Sequence, residues 1–155
     1  MKSLSAIAFL CFSIVFSVFA NKPMVEENTT ESIDVSCFSV PVKSTIIQQI
    51  LMDKMVENYL ELTKNKREPV KIFKNQYIGP TIDVRVHRNK ALLIDNPSRY
   101  PEALLIDFKK MNCNKQTLEF ILMSRTKGVT IQGGLRRDEK NNIWEVQVFT
   151  AHKNI

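Results

Sequence analysis

The hydrophobic period of this chain changes once, at Pro69, and that change narrows the possible folds more than any other feature. Before it, Ile47, Leu51, Met55, Tyr59 and Leu62 recur at helical spacing, while Gln48, Gln49, Asp53, Glu57 and Glu61 take the other side. Ser44 stands where a capping hydroxyl belongs, so one helix is expected over residues 44–64. After Pro69 the period falls to two. Short β-rich segments follow at Val70 to Phe73, Ile82 to Val86, Ala91 to Ile94, Ala103 to Phe108, Leu118 to Met123, Val129 to Gln132 and Trp144 to Thr150. Gly79-Pro80, Asn96-Pro97, Gly133-Gly134 and Asn141-Asn142 supply breaks among them. One helix and then strands at hairpin spacing implies an α+β domain, one α-helix packed on an antiparallel β-sheet. Ile82, Val84 and Val86 should point inward and Asp83, Arg85 and His87 outward; Trp144, Val146 and Val148 form a second inward stripe. The string Ala-Leu-Leu-Ile-Asp occurs at Ala91 to Asp95 and at Ala103 to Asp107, which reads as two strands, with Asn96-Pro97-Ser98 available for a turn between them.

The beginning of the chain reads differently. Lys2, the apolar run Leu4 to Val18 and the small residue Ala20 have the form of a cleavable secretory signal over residues 1–20, with an uncleaved anchor as the alternative. Residues 21–34 are polar and acidic without periodicity and read as a tail, leaving residues 35–155 as one domain. Removal of Cys11 with the signal leaves Cys37 and Cys113 in an oxidising route, where a bridge between them is expected, two free buried thiols being the alternative. Asn28-Thr29-Thr30 is a glycosylation sequon. The expected location is outside the cell, with no membrane association after cleavage and a monomeric state.

The formal net charge of +6 favours polyanionic partners. The run Lys64-Asn65-Lys66-Arg67 is one basic patch; Arg125, Lys127, Arg136, Arg137 and Lys140 are a second, offered as RNA-binding residues. Neither patch has the interleaved aromatics of a single-strand binder. Metal spacing, a phosphate-binding glycine loop and a nucleophile elbow are all missing, so no metal and no cofactor is expected. Of the two histidines, His87 reads as exposed on a strand.

Four short motifs then fall in a telling order: Tyr100-Pro101-Glu102, Leu118-Glu119-Phe120-Ile121-Leu122, Gly133-Gly134-Leu135-Arg136-Arg137-Asp138 and Val148-Phe149-Thr150-Ala151-His152. In order and approximate spacing the chain resembles the small secreted fungal guanyl-specific ribonucleases, and more narrowly the ribonuclease-like effectors of powdery mildew fungi. The resemblance implies a microbial ribonuclease-like fold, with vestigial-site candidates at Tyr100, Glu102, Glu119, Arg137 and His152. It also shows damage. Glu102 stands where the family has histidine, Ile121 where it has proline, Arg136-Arg137 where it has Asp-Arg, and His152 is one place late; a long insertion, roughly residues 69–99, precedes the tyrosine strand. Strand cleavage in such a site needs a base, an opposed acid and a cation for the developing phosphorane charge, roles open to Glu119, His152 and Arg136 or Arg137. The resemblance to the effectors implies a secreted virulence effector, delivered into host cells, without efficient catalysis. Its partner would be a host protein, a plant immune receptor among the candidates, or RNA. The rival readings are an active guanyl-preferring ribonuclease and a cystatin-like protease inhibitor, the latter on a poor echo of an inhibitory loop at Asn75-Gln76-Tyr77-Ile78-Gly79.

Overall fold

A computed structural model describes residues 37–64 and 67–153. The signal, the tail, Asn28 and the expected start of the domain at Val35 lie outside the described residues. The helical segment forms, but as two helices, α1 (Val40–Met52) and α2 (Lys54–Leu60), rather than one over 44–64. It starts earlier than expected because Ser39 is the N-cap and Pro41 occupies the first turn, where a missing N–H costs nothing. Ser44 lies inside α1, and its Oγ accepts from the Asp83 N–H at 3.1 Å. The break falls at Asp53, whose backbone is extended (φ −65°, ψ 135°) and whose carboxylate accepts from Met55 N and Val56 N at 2.9 and 3.2 Å. An aspartate side chain that caps the next helix competes with the backbone bonds that would continue the first. The break also changes the helical phase. Val56 and Leu60 are buried behind Ile47, Ile50 and Leu51, and Met55, expected on the core face, is half exposed.

Four long strands build the main sheet: β5 (Leu105–Asn112), β6 (Thr117–Ser124), β7 (Val129–Asp138) and β8 (Ile143–Lys153), antiparallel in the order β5-β6-β7-β8. Together with the two helices they make the domain α+β. Both helices pack on β8, and α2 also reaches β7. Their apolar residues join Ile106, Phe108, Leu118, Phe120, Leu122, Ile131 and Trp144 in one core, with the Phe38 ring edge-on to Trp144 at 5.5 Å. The other face of the sheet carries the alternate residues, among them Glu119, Ile121 and Met123 of β6 and Thr130, Gln132 and Arg136 of β7. Cys37 and Cys113 are bridged, tying the entry to α1 to the β5–β6 turn across 76 residues.

Gly133 and Gly134, expected to break the chain, sit inside β7. A Cβ on Gly133 would lie 2.7 Å from both the Phe120 ring and the Gln147 carbonyl, and one on Gly134 would lie 2.9 Å from the Phe149 ring. Aromatic rings therefore cover the strand at these positions, one from each face. Phe149 is the extra residue of a bulge: Val148 pairs with Gly133 and Thr150 with Gln132.

Residues 69–99 do not continue the antiparallel pattern. Strands β1 (Lys71–Phe73) and β4 (Leu92–Ile94) pair in parallel, and Leu104 bridges to Ile72 from the other side. Parallel pairing requires a long return, and residues 74–91 provide one. The two Ala-Leu-Leu-Ile-Asp strings therefore flank β1 instead of pairing with each other; Lys74 N donates to Ile94 O and Phe73 N to Leu104 O, both at 2.9 Å. Within that return, β2 (Arg85–Val86) and β3 (Asn89–Lys90) form a hairpin whose turn residues His87 and Arg88 both have positive φ (49° and 73°). Ile82, Val84 and Val86 are buried as their alternation requires, though only the last is in a strand. The hairpin lies along α1, held by the Asp83 bond to Ser44 and by Arg85 N donating to Gln48 Oε1 at 3.3 Å. His87 is not an exposed strand residue. It is partly buried, with Nε2 3.0 Å from Glu57 Oε1.

Candidate functional site

Of the five vestigial-site candidates, Tyr100 and Glu102 share Lys71 and the other three occupy separate places. Glu119 is on the open face of β6, opposite Lys110 of β5 at 3.4 Å and in register with Gly134. His152 is on β8 in register with Thr130, four residues along β7 from Gly134. Four residues of strand and two strand spacings put the two Cα atoms on the order of 16 Å apart. Arg137 is the cross-strand partner of buried Trp144, which places it on the helix side of the sheet, away from Glu119. Its guanidinium is engaged by Gln116 Oε1 at 2.8 Å and by Asn142 Oδ1. Tyr100 and Glu102 precede β5. Glu102 pairs with Lys71 at 2.5 Å, and the Lys71 ammonium lies 5.3 Å from the centre of the Tyr100 ring. That hydrogen bond lowers the Glu102 carboxyl below its ordinary range and raises Lys71 above its own. Arg136, the other candidate cation, shares the open face with Glu119, two residues along β7 from its register partner Gly134, but His152 lies toward the other end of that face, so these three do not meet on one reacting phosphate.

The five residues offered for RNA also divide. Arg125 and Lys127 are in the β6–β7 turn, whereas Arg136, Arg137 and Lys140 are at the far end of β7 and in the turn after it. Ten residues of strand separate the ends by about 33 Å. The far group is also mixed in sign, since its shallow depression is shared with Asp138, Glu139 and Glu145.

At the near end, residues distant in sequence converge. Glu61 terminates α2 in the left-handed region (φ 52°), and three ammonium groups surround its carboxylate: Lys64 at 3.1 Å, Lys127 at 3.4 Å and Lys153 at 3.5 Å. They come from the turn after α2, the β6–β7 turn and the last residue of β8. Hydrogen bonds from Lys64 and then Lys127, with the charge of Lys153, hold Glu61 down at about 2 against an ordinary 4.5. Beside this cluster is a cleft of about 140 Å³ lined by apolar residues that include Leu62, Val70 and Leu104 and by charged residues of both signs, Glu61, Glu68 and Glu102 with Lys71 and Lys127. Lys64 belongs to the first basic patch read from the sequence and Lys127 to the second. Among the described residues of the two patches, Glu61 is the shared partner of these two lysines alone, and Lys153 had no signal of its own. Among the described residues no group of histidine, cysteine and acidic side chains could hold a metal ion, and no helix is long and apolar enough to cross a membrane.

No protein-family model, no curated protein and no solved structure matches the chain.

Proposed function

We propose that this protein is a secreted fungal virulence effector of ribonuclease-like build that acts on a host protein by binding and not by catalysis. The observation that carries the reading is the dispersal of Glu119, His152 and Arg137 over the two faces and two ends of one sheet. The build is supported by helices on one face of a four-strand antiparallel meander, with the motif residues distributed over it in chain order. A protein partner is favoured over RNA because the candidate RNA-binding cations form no continuous track. The cystatin-like reading loses its loop: Tyr77 and Ile78 are buried, and the Asn75 carboxamide oxygen accepts from both of their N–H groups at 2.9 and 3.0 Å. The test is expression of residues 21–155 in leaf cells followed by measurement of the immune oxidative burst. The parent and a Glu119→Gln/His152→Ala variant should suppress it equally. Suppression that vanishes in the variant would make catalysis the mechanism.

A further inference from the structure

Strand β8 has 11 residues and pairs on one side only, with β7. No backbone hydrogen bond beyond that ladder involves it among the described residues. In an antiparallel ladder the N–H and C=O of one residue face the same neighbour, and the direction alternates along the strand. Arg137 N donates to Gln116 O, so Arg137, Leu135 and Ile131 turn toward β6, whereas Arg136, Gly134, Gln132 and Thr130 turn toward β8. The register partners of the latter, Glu145, Gln147, Thr150 and His152, are therefore held by β7. Trp144, Val146 and Val148, and after the bulge Ala151 and Lys153, present their N–H and C=O groups outward, unpaired. On the helix side a groove of about 320 Å³, lined by Met52, Asp53 and Lys54 with Trp144 and Val146, leaves room beside this edge for the side chains of an added strand.

A bulge ordinarily protects an edge, and this one excludes a straight strand. The outward groups recur every two residues except across the bulge, where Val148 and Ala151 are three apart in sequence. A regular strand in step with Trp144 to Val148 is thus out of step with Ala151 and Lys153. The strand that carries the matching irregularity is β8 of a second copy. Turned antiparallel about an axis between Val148 and Phe149, it sets Val146 opposite Ala151 and Trp144 opposite Lys153, with outward groups facing outward groups and helix-side side chains meeting helix-side side chains. The same register places Glu145 opposite His152 of the second copy on the open face. Neither has an ion pair or a hydrogen bond from its side chain among the described residues, and an imidazole N–H can donate to a carboxylate in either protonation state. Because β8 carries its acid, Glu145, at one end and His152 and Lys153 at the other, antiparallel self-pairing brings unlike ends together. We infer that two copies of this chain associate through β8, joining two four-stranded sheets into one of eight strands, in place of the monomer expected from the sequence. This dimer does not depend on what host partner the protein binds.

Sedimentation equilibrium of the purified protein measures it, and the mean mass should rise from one chain to two across the micromolar range. Ala151→Pro is the diagnostic variant. Its missing N–H points away from β7, so the ladder within the chain loses nothing, whereas the ladder between copies loses one bond from each side. Association should weaken by about tenfold or more. Glu145→Lys should weaken it severalfold by facing a cation to His152, and adding His152→Glu should restore it. Lys110→Glu, on the opposite edge of the main sheet, should leave it unchanged. Should Ala151→Pro fail to fold, the charge swap still decides. A dimer that survives Ala151→Pro, or a swap that does not restore what Glu145→Lys removes, would overturn the inference. So would a single-chain mass at every concentration, which would leave the edge to an extended segment of another protein. None of these outcomes bears on whether the protein suppresses the oxidative burst, which is measured separately.

Discussion

Gly133→Ala adds one methyl group where β7 crosses under Phe120. The new Cβ would stand 2.7 Å from the Phe120 Cζ, 2.8 Å from its Cε1 and 2.7 Å from the Gln147 backbone oxygen. None of these can move cheaply. Phe120 is 1% exposed in the centre of the core, and Gln147 belongs to the neighbouring strand. Overpacking of this kind costs about 1–3 kcal/mol, and two immovable neighbours place Gly133 at the upper end. Alanine returns about 0.4–1 kcal/mol by restricting the unfolded chain, so the net loss should be about 2 kcal/mol, or roughly 8 °C in thermal midpoint for a domain of this size. Gly134→Ala is the internal comparison. Its Cβ meets the Phe149 ring at 2.9 Å, but that ring is 55% exposed and can swing away, so the loss should stay below about 1 kcal/mol. Chemical denaturation of both variants, with Phe120→Leu added to complete a double-mutant cycle, gives the measurement. Phe120→Leu should make Gly133→Ala less costly and leave Gly134→Ala as it was. A Gly133→Ala variant within about 0.5 kcal/mol of the parent would refute the packing argument.

Replacing Cys37 and Cys113 by serine removes a cross-link over 76 residues and should cost about 4.5 kcal/mol on the chain-entropy estimate, seen as a lower urea midpoint. Asp53→Ala removes the cap of α2 and should cost about 1 kcal/mol, read in the same denaturation assay. Glu61 links stability to pH. Its carboxyl sits at about 2 in the folded protein and near 4.5 when unfolded, so its stabilisation is complete above 4.5 and is lost as the pH falls from there through about 2. The difference in thermal midpoint between the parent and Glu61→Gln should close across that window; a difference that is constant with pH would show the lysines are not held by this carboxylate.

Much of the fold is legible in the residues. Period-two stripes found β6 and the start of β8, and the helical spacing found the segment that became α1 and α2. The disulfide followed from arithmetic on the cysteines. What escaped was decided by tertiary contacts. Asp53 has the same charge in the middle of a helix as at its cap, and only the burial of Val56 and Leu60 selects the broken form. Gly133-Gly134 looks like a turn until Phe120 and Phe149 are placed over it. The parallel pairing of β1 with β4 depends on a long return, which no local window reports. The site suffered most. Lys64, Lys127 and Lys153 lie far apart in sequence, and their convergence on Glu61 exists only after folding; Arg125 and Lys140, close in sequence, are parted by the length of β7.

Turnover of guanosine-containing dinucleotides by the purified domain, compared with its Glu119→Gln variant, tests the central claim most directly. The separation of Glu119 from His152 and Arg137 predicts no release of product above the enzyme-free reaction, and no difference between parent and variant. Turnover within the usual enzymatic range of about 1–10³ s⁻¹, abolished by Glu119→Gln, would contradict it.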